Sequence, residues 1–142
     1  MEFTVGDSVT FAKTVGESDV YLFAGVTGDL APVHVDRTYM GRTAYGERIA
    51  HGVLVLGYSS TASTMMMQKV GADAVSYGYD RIRFTAPVFF GDTVTVHYEV
   101  ERIDEAAGKV FSAVRVSNQD GVLCLVATHI LKLIEVGGGA GS

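Results

Sequence analysis

Residues 49–71 read IAHGVLVLGYSSTASTMMMQKVG, and the fold turns on this stretch. It is too long for an ordinary strand, and apolar residues occupy nearly its whole circumference, as in a helix buried on most sides. Gly57 interrupts it and serine and threonine are frequent, so it does not read as a membrane span. After Gly71 the period changes to two. AVSYGYDRIRFTAPVFF, DTVTVHYEVERID, KVFSAVRVSNQD and VLCLVATHILKLIEV each read as strands, with turn signals at GD, EAAG and NQDG. In the second of these, Val94, Val96, Tyr98 and Val100 share one face, while Thr93, Thr95, His97 and Glu99 share the other. That alternation belongs to antiparallel sheet with one covered and one wetter face. Only the Ile49–Gln68 helix is long enough to cover it. The predicted fold is therefore α+β, an antiparallel sheet wrapped around one long central helix.

Upstream, GDSVTFAKTVG reads as a strand and ESDVYLFAGVTGD as a helix capped by Ser18 and stopped by Gly28. DRTYMGRTAYG offers Asp36 as the cap of one or two further turns. No repeat or linker divides the chain, so one domain is expected over residues 1–135, followed by a flexible glycine-rich tail at 136–142.

The chain has 142 residues, enough to bury a core without staples. Its 48% hydrophobic and 19% charged residues exclude a disordered class. A net charge of −5 argues against a nucleic-acid binder, although a few arginines can still hold phosphates on an acidic protein. One cysteine, Cys124, precludes an intrachain disulfide, and no Cys/His metal spacing is present, which fits a reducing, cytoplasmic setting. MEFTVGDSVTF lacks an apolar run behind a basic start, so no signal peptide is expected. In this apolar setting TGDLAPVHVD, residues 27–36, places Asp29 five residues before His34 with Pro32 between them. Proline fixes its own φ and drives Ala31 toward extended geometry, so both side chains can face one pocket from a stiff loop. Imidazole titrates near neutral pH and suits a general base. A carboxyl group donating a proton at that pH needs a raised pKa, which a dry pocket supplies. Alternatively Asp29 is an ordinary turn residue and His34 a structural histidine.

Three blocks, YLFAGVTGDLAPVHVD, TAYGERIAHGVL and RIRFTAPVFFGDTV, resemble in that order the signature of the MaoC-like hydratase/dehydratase family, the (R)-specific enoyl-CoA hydratases. The likeness runs from Val5 to Ile134. It implies a hot-dog fold and a homodimer or larger homo-oligomer. The implied reaction is reversible syn addition of water to trans-2-enoyl thioesters of coenzyme A or acyl carrier protein, with no metal or redox cofactor. It also implies that Asp29 and His34 are the acid/base pair and that the backbone N–H of Gly52 holds the thioester oxygen. Ser60, His51 and Pro32 would support them. Helix N-termini carry unpartnered amides, so Gly52 suits that role if the helix begins there. The family has Asn where this chain has Ala31, which leaves one hydrogen-bonding side chain missing near the site.

Arg42, Arg48, Arg81 and Arg83 are candidates for coenzyme A phosphates, the last two on one strand face, though any single arginine is more often simply solvated. Met65–Met67 read as core, and His97 and His129 as structural. Two other functions remain open. A hot-dog thioesterase usually carries its carboxylate on the central helix, but residues 50–70 contain no Asp or Glu. A non-catalytic acyl-thioester binding module is the other, with Ala31 as its only hint.

Overall fold

The computed structural model describes residues 2–136, so the glycine-rich segment after Val136 lies outside the described residues. Strand β1 (Ser8–Thr14) leads through helix α1 (Glu17–Thr27) and two short turns, α2 (Pro32–Val35) and α3 (Arg37–Gly41), into the long helix α4 (Gly52–Val70). Strands β2 (Ala74–Phe84), β3 (Thr93–Asp104), β4 (Lys109–Ser117) and β5 (Leu123–Leu133) follow. They form one antiparallel five-stranded sheet in the order β1-β3-β4-β5-β2, leaving β1 and β2 as its edges. This is the expected α+β hot-dog layout, with the sheet curled around α4.

The period-2 pattern lays down the core. Val94, Val96, Tyr98 and Val100 are all fully buried against α4, beside Val110, Val114 and Val116 of β4 and Leu125 and Leu131 of β5. Helix α4 contributes Val55, Ala62 and Met66. It is not covered all round: Val53, Gly57, Ser60, Thr61, Thr64 and Gln68 form an exposed stripe, because five strands enclose only one side of a helix. Ser60, Thr61 and Thr64 lie on that stripe, whereas Ser59 and Ser63 are buried.

Local chemistry shifts some boundaries. The cap of α1 is Gly16 rather than Ser18, and Asp19 accepts the Gly16 N–H at 2.8 Å. Gly28 ends α1 in the left-handed conformation (φ 83°), as expected. Ile49 and Ala50 are extended, Ile49 bridging to Phe89, and the helix starts only at Gly52. Asp36 caps α3, its Oδ1 accepting from Tyr39 N at 2.9 Å.

Strand β2 departs most from a plain reading. Asp80 pairs with Thr128 and Arg83 with Val126, so Arg81 and Ile82 together oppose Ala127. Arg81 takes φ 55°, the only positive-φ non-glycine among the described residues. A bulge of this kind shifts the phase of all that follows by one residue. Arg81 and Arg83 therefore do not share a regular strand face. Phe84, opposite buried Leu125, is brought to the inner side, where it meets the start of α4.

Candidate active site

Asp29 follows the Gly28 stop of α1 directly, and its Oδ1 accepts the Ala31 N–H at 3.3 Å, closing a short turn. Ala31 is extended (ψ 141°), as a residue before proline must be, and Pro32 opens the α2 turn that carries His34. His34 Nδ1 lies 2.8 Å from the carbonyl oxygen of Ile49. A carbonyl only accepts, so Nδ1 bears the ring proton and Nε2 keeps a free lone pair. That nitrogen stands 4.0 Å from Asp29 Oδ2. The His34 side chain is 12% exposed and that of Asp29 55%.

His51, the residue before α4, is 3% exposed and stacks on His34, ring centres 3.6 Å apart. Its Nε2 donates to the main-chain carbonyl of Asp29 at 3.0 Å, while its buried Nδ1 has no partner. Asp29, His34 and His51 each bring a ligand-type atom to within 4.8 Å of the others. They do not make a good metal set. His51 Nε2 is committed as a donor, and stacked rings aim their lone pairs side by side instead of at one point.

Gly52 is the first residue of α4, and its N–H has no acceptor among the described residues. It opens on a pocket of about 340 Å³ lined by His34, Tyr45, Ile49, Val55, Phe84 and Cys124, with Ala86, Pro87 and Val88 along one wall. Glycine also leaves room here for a neighbouring ring. A Cβ on Gly52 would stand 2.7 Å from two ring carbons of Phe84. Burial raises the Cys124 thiol above its ordinary pKa, so it is a poor nucleophile beside that pocket. A larger cavity, about 1130 Å³, lies at the far end of α4 between Phe3, Val5, Ile103 and Leu133, and no histidine reaches it.

The structure thus brings Asp29, His34, His51, Gly52 and Pro32 together. Ser60 lies eight residues further along α4 on the exposed stripe, with no side-chain hydrogen bond among the described residues. Its neighbour Ser59 is the buried one, bonded to Leu56 O at 2.6 Å and to Tyr79 Oη at 2.7 Å. Arg42, Arg81 and Arg83 are exposed, whereas Arg48 is turned inward onto Glu17 and Tyr21. Phe84 and the Arg48 partners carried no signal in the sequence, since each depends on a contact or a bulge outside its own segment.

The family model described as a MaoC like domain matches residues 2–121. The chain belongs to the MaoC-like family. An (R)-specific enoyl-CoA hydratase from Aeromonas caviae is 30% identical to this MaoC-like chain over 129 residues, 91% of the chain and 94% of that protein. Another from Rhodospirillum rubrum is 43% identical over 90 residues, which span 63% of this chain and 60% of that relative's length. Among solved structures, the (R)-hydratase from A. caviae involved in PHA biosynthesis superposes with a TM-score of 0.81 at 28% identity, covering 93% of this chain and 98% of that one. The R-hydratase PhaJ1 from Pseudomonas aeruginosa gives 0.78 at 32% identity, covering 96% and 90%. The MaoC-like assignment therefore extends over nearly the whole described chain.

Proposed function

We propose that this chain is an (R)-specific enoyl-CoA hydratase, in reverse a 3-hydroxyacyl-CoA dehydratase, acting in the cytoplasm as a homodimer. One observation carries the reading. His34 Nε2, with its lone pair free, and Asp29 Oδ2 stand 4.0 Å apart, too far for a direct hydrogen bond. A water about 2.8 Å from each acceptor would subtend roughly a right angle, near its own H–O–H angle. Both its protons are then held and a lone pair is left to attack.

The enoyl thioester enters with its carbonyl oxygen on the Gly52 N–H, at the positive end of a 19-residue helix. Water oxygen bonds to C3 while His34 Nε2 takes one of its protons. The C2–C3 π electrons move toward the thioester oxygen, giving an enolate. As the enolate collapses, the proton taken by His34 passes through the Asp29 carboxylate to C2, leaving both groups as they began. Water and thioester are the only reactants. Pro32 stiffens the loop that sets the spacing, and His51 ties that loop to the helix start. Ser60 remains a supporting candidate, acting from the uncovered face of α4.

Relatives named (R)-specific enoyl-CoA hydratase and 3-hydroxybutyryl-CoA dehydratase support this activity. The free edge of β2, with Val75 and Tyr77 exposed on that strand, is where a second copy would continue the sheet. No described helix is long and apolar enough to cross a membrane, in keeping with an enzyme free of the bilayer.

Hydration of crotonyl-CoA, followed by loss of the enoyl absorbance, tests the activity. His34→Ala and Asp29→Asn should each lose about 10²–10⁴-fold in kcat while still folding. A wild type that binds acyl-CoA without hydrating it would instead support the binding module, and release of free coenzyme A would support a thioesterase. Sedimentation of the purified chain tests the dimer.

A further inference from the structure

Arg48 joins four segments around the site. Its side chain is 16% exposed, and Nη2 lies 2.7 Å from Glu17 Oε2 on α1. Nη1 donates to the hydroxyl of Tyr21, also on α1, at 2.6 Å. Tyr21 donates its own proton to the carbonyl oxygen of Val35, the residue after His34, at 3.0 Å. The guanidinium carbon also stands 4.6 Å from the ring centre of Phe90 in the loop before β3, and 5.6 Å from that of Tyr21.

The direction of these bonds is set by chemistry. A guanidinium has donors only, so Tyr21 Oη must accept from it, and the single phenol proton is then free for Val35. Val35 closes the α2 turn, and the last carbonyls of a helical turn have no partner within it. A charged donor polarises the hydroxyl and strengthens the bond it makes next. Arg48 also precedes Ile49, whose carbonyl orients the His34 ring and whose N–H donates to Val33 O at 3.0 Å. His34 is thus held by Ile49 on one side and, on the other, by the Val35 carbonyl that Tyr21 and Arg48 engage.

Resting on the hydratase reading, we propose that Arg48 is a positioning residue for His34, acting through the Tyr21 hydroxyl, and not a ligand of coenzyme A phosphates. Its two terminal nitrogens are engaged with Glu17 and Tyr21, and it is the least exposed of the four arginines considered for phosphate.

The test uses two substrates, crotonyl-CoA and the crotonyl thioester of N-acetylcysteamine, which has no phosphates. Tyr21→Phe removes the relay and keeps the ring. It should lower kcat by roughly tenfold to a hundredfold, equally on both thioesters, with KM within about twofold and the melting temperature nearly unchanged. Arg48→Lys, which keeps the charge but not the fork, should fall between Tyr21→Phe and wild type. A rise in KM confined to crotonyl-CoA in Arg48→Lys would overturn the proposal in favour of a phosphate contact. An unchanged kcat in Tyr21→Phe would overturn it in favour of packing alone. If the wild type hydrates neither thioester, the hydratase reading itself fails and this proposal goes with it.

Discussion

The imidazole of His51 lies against that of His34 with ring centres 3.6 Å apart and planes 23° from parallel. Phe23 meets the His51 ring edge-to-face, ring centres 4.9 Å apart. His51 thereby ties the backbone of one proposed catalytic residue, Asp29, to the ring of the other. Stacking holds the His34 plane while the Nε2 bond to the Asp29 carbonyl holds the turn.

His51→Phe separates these two effects, since it keeps a flat ring and removes the donor. It also removes the buried, unpartnered Nδ1, so unfolding in urea should shift by less than about 1 kcal/mol. The turnover of crotonyl-CoA should fall roughly tenfold as the Asp29 turn loosens. Full turnover in this variant would reduce the role of His51 to packing.

Gly52→Ala drives a methyl group into Phe84, whose ring carbons lie 2.7 Å from the new Cβ. Overpacking of this kind costs about 1–3 kcal/mol. The backbone donor survives the substitution, but the helix start must move and activity should drop. Adding Phe84→Leu should recover most of the stability, measured as the urea midpoint. A Gly52→Ala variant as stable as wild type would show that the ring swings away at little cost.

Ala31 stands at the N-cap of the α2 turn with no side chain able to cap it, and the Val33 N–H has no acceptor among the described residues. Its backbone, φ −58° and ψ 141°, suits a capping residue. Ala31→Asn should supply that cap and stabilise the protein by about 0.5–2 kcal/mol, read as a rise in melting temperature. The family Asn is thereby given a structural role in holding the turn that carries His34. A melting temperature that stays put or falls would remove that role.

His129 is fully buried on the inner face of β5, and burial lowers its pKa from 6.5 to about 4. Tyr98 Oη lies 2.8 Å from its Nδ1 and Ser76 Oγ 2.7 Å from its Nε2, with the Tyr79 ring stacked on it. The unfolded chain takes up a proton near pH 6.5, whereas the folded protein resists until about pH 4. Stability present above pH 6.5 is therefore lost as the pH falls through that window. The loss levels off below it, at a total on the order of 3 kcal/mol. Urea unfolding at pH 7 and pH 4.5 measures the drop, and His129→Gln should flatten its histidine component. An equal slope in that variant would assign the acid sensitivity to other groups.

Much of this was readable before folding. The change at Gly71 from a long stretch apolar on nearly all sides to a period of two separates α4 from the sheet, and alternation along β3 places Val94 to Val100 inward. Asp29, Pro32 and His34 lie within six residues, so their meeting needs only local geometry. That Ser59 and not Ser60 is the buried serine was not readable, because adjacent helical positions differ by about 100° and only the position of the sheet shows which one is buried. Arg81 and Arg83 appeared to share a face because a bulge leaves no mark in a simple alternation. Arg48 looked like a solvated cation because Glu17 and Tyr21, about thirty residues earlier, gave no local sign of pairing with it.

Periodicity and short-range spacing, which act over a few residues of backbone, determined the elements, the core faces and the Asp29–His34 pair. Only the tertiary structure decided the stacking of His51, the close approach of Phe84 to Gly52, the Arg48–Tyr21–Val35 relay and the buried His129 network. Each of these joins groups far apart in the chain, and such contacts exist only once the sheet has closed around the helix.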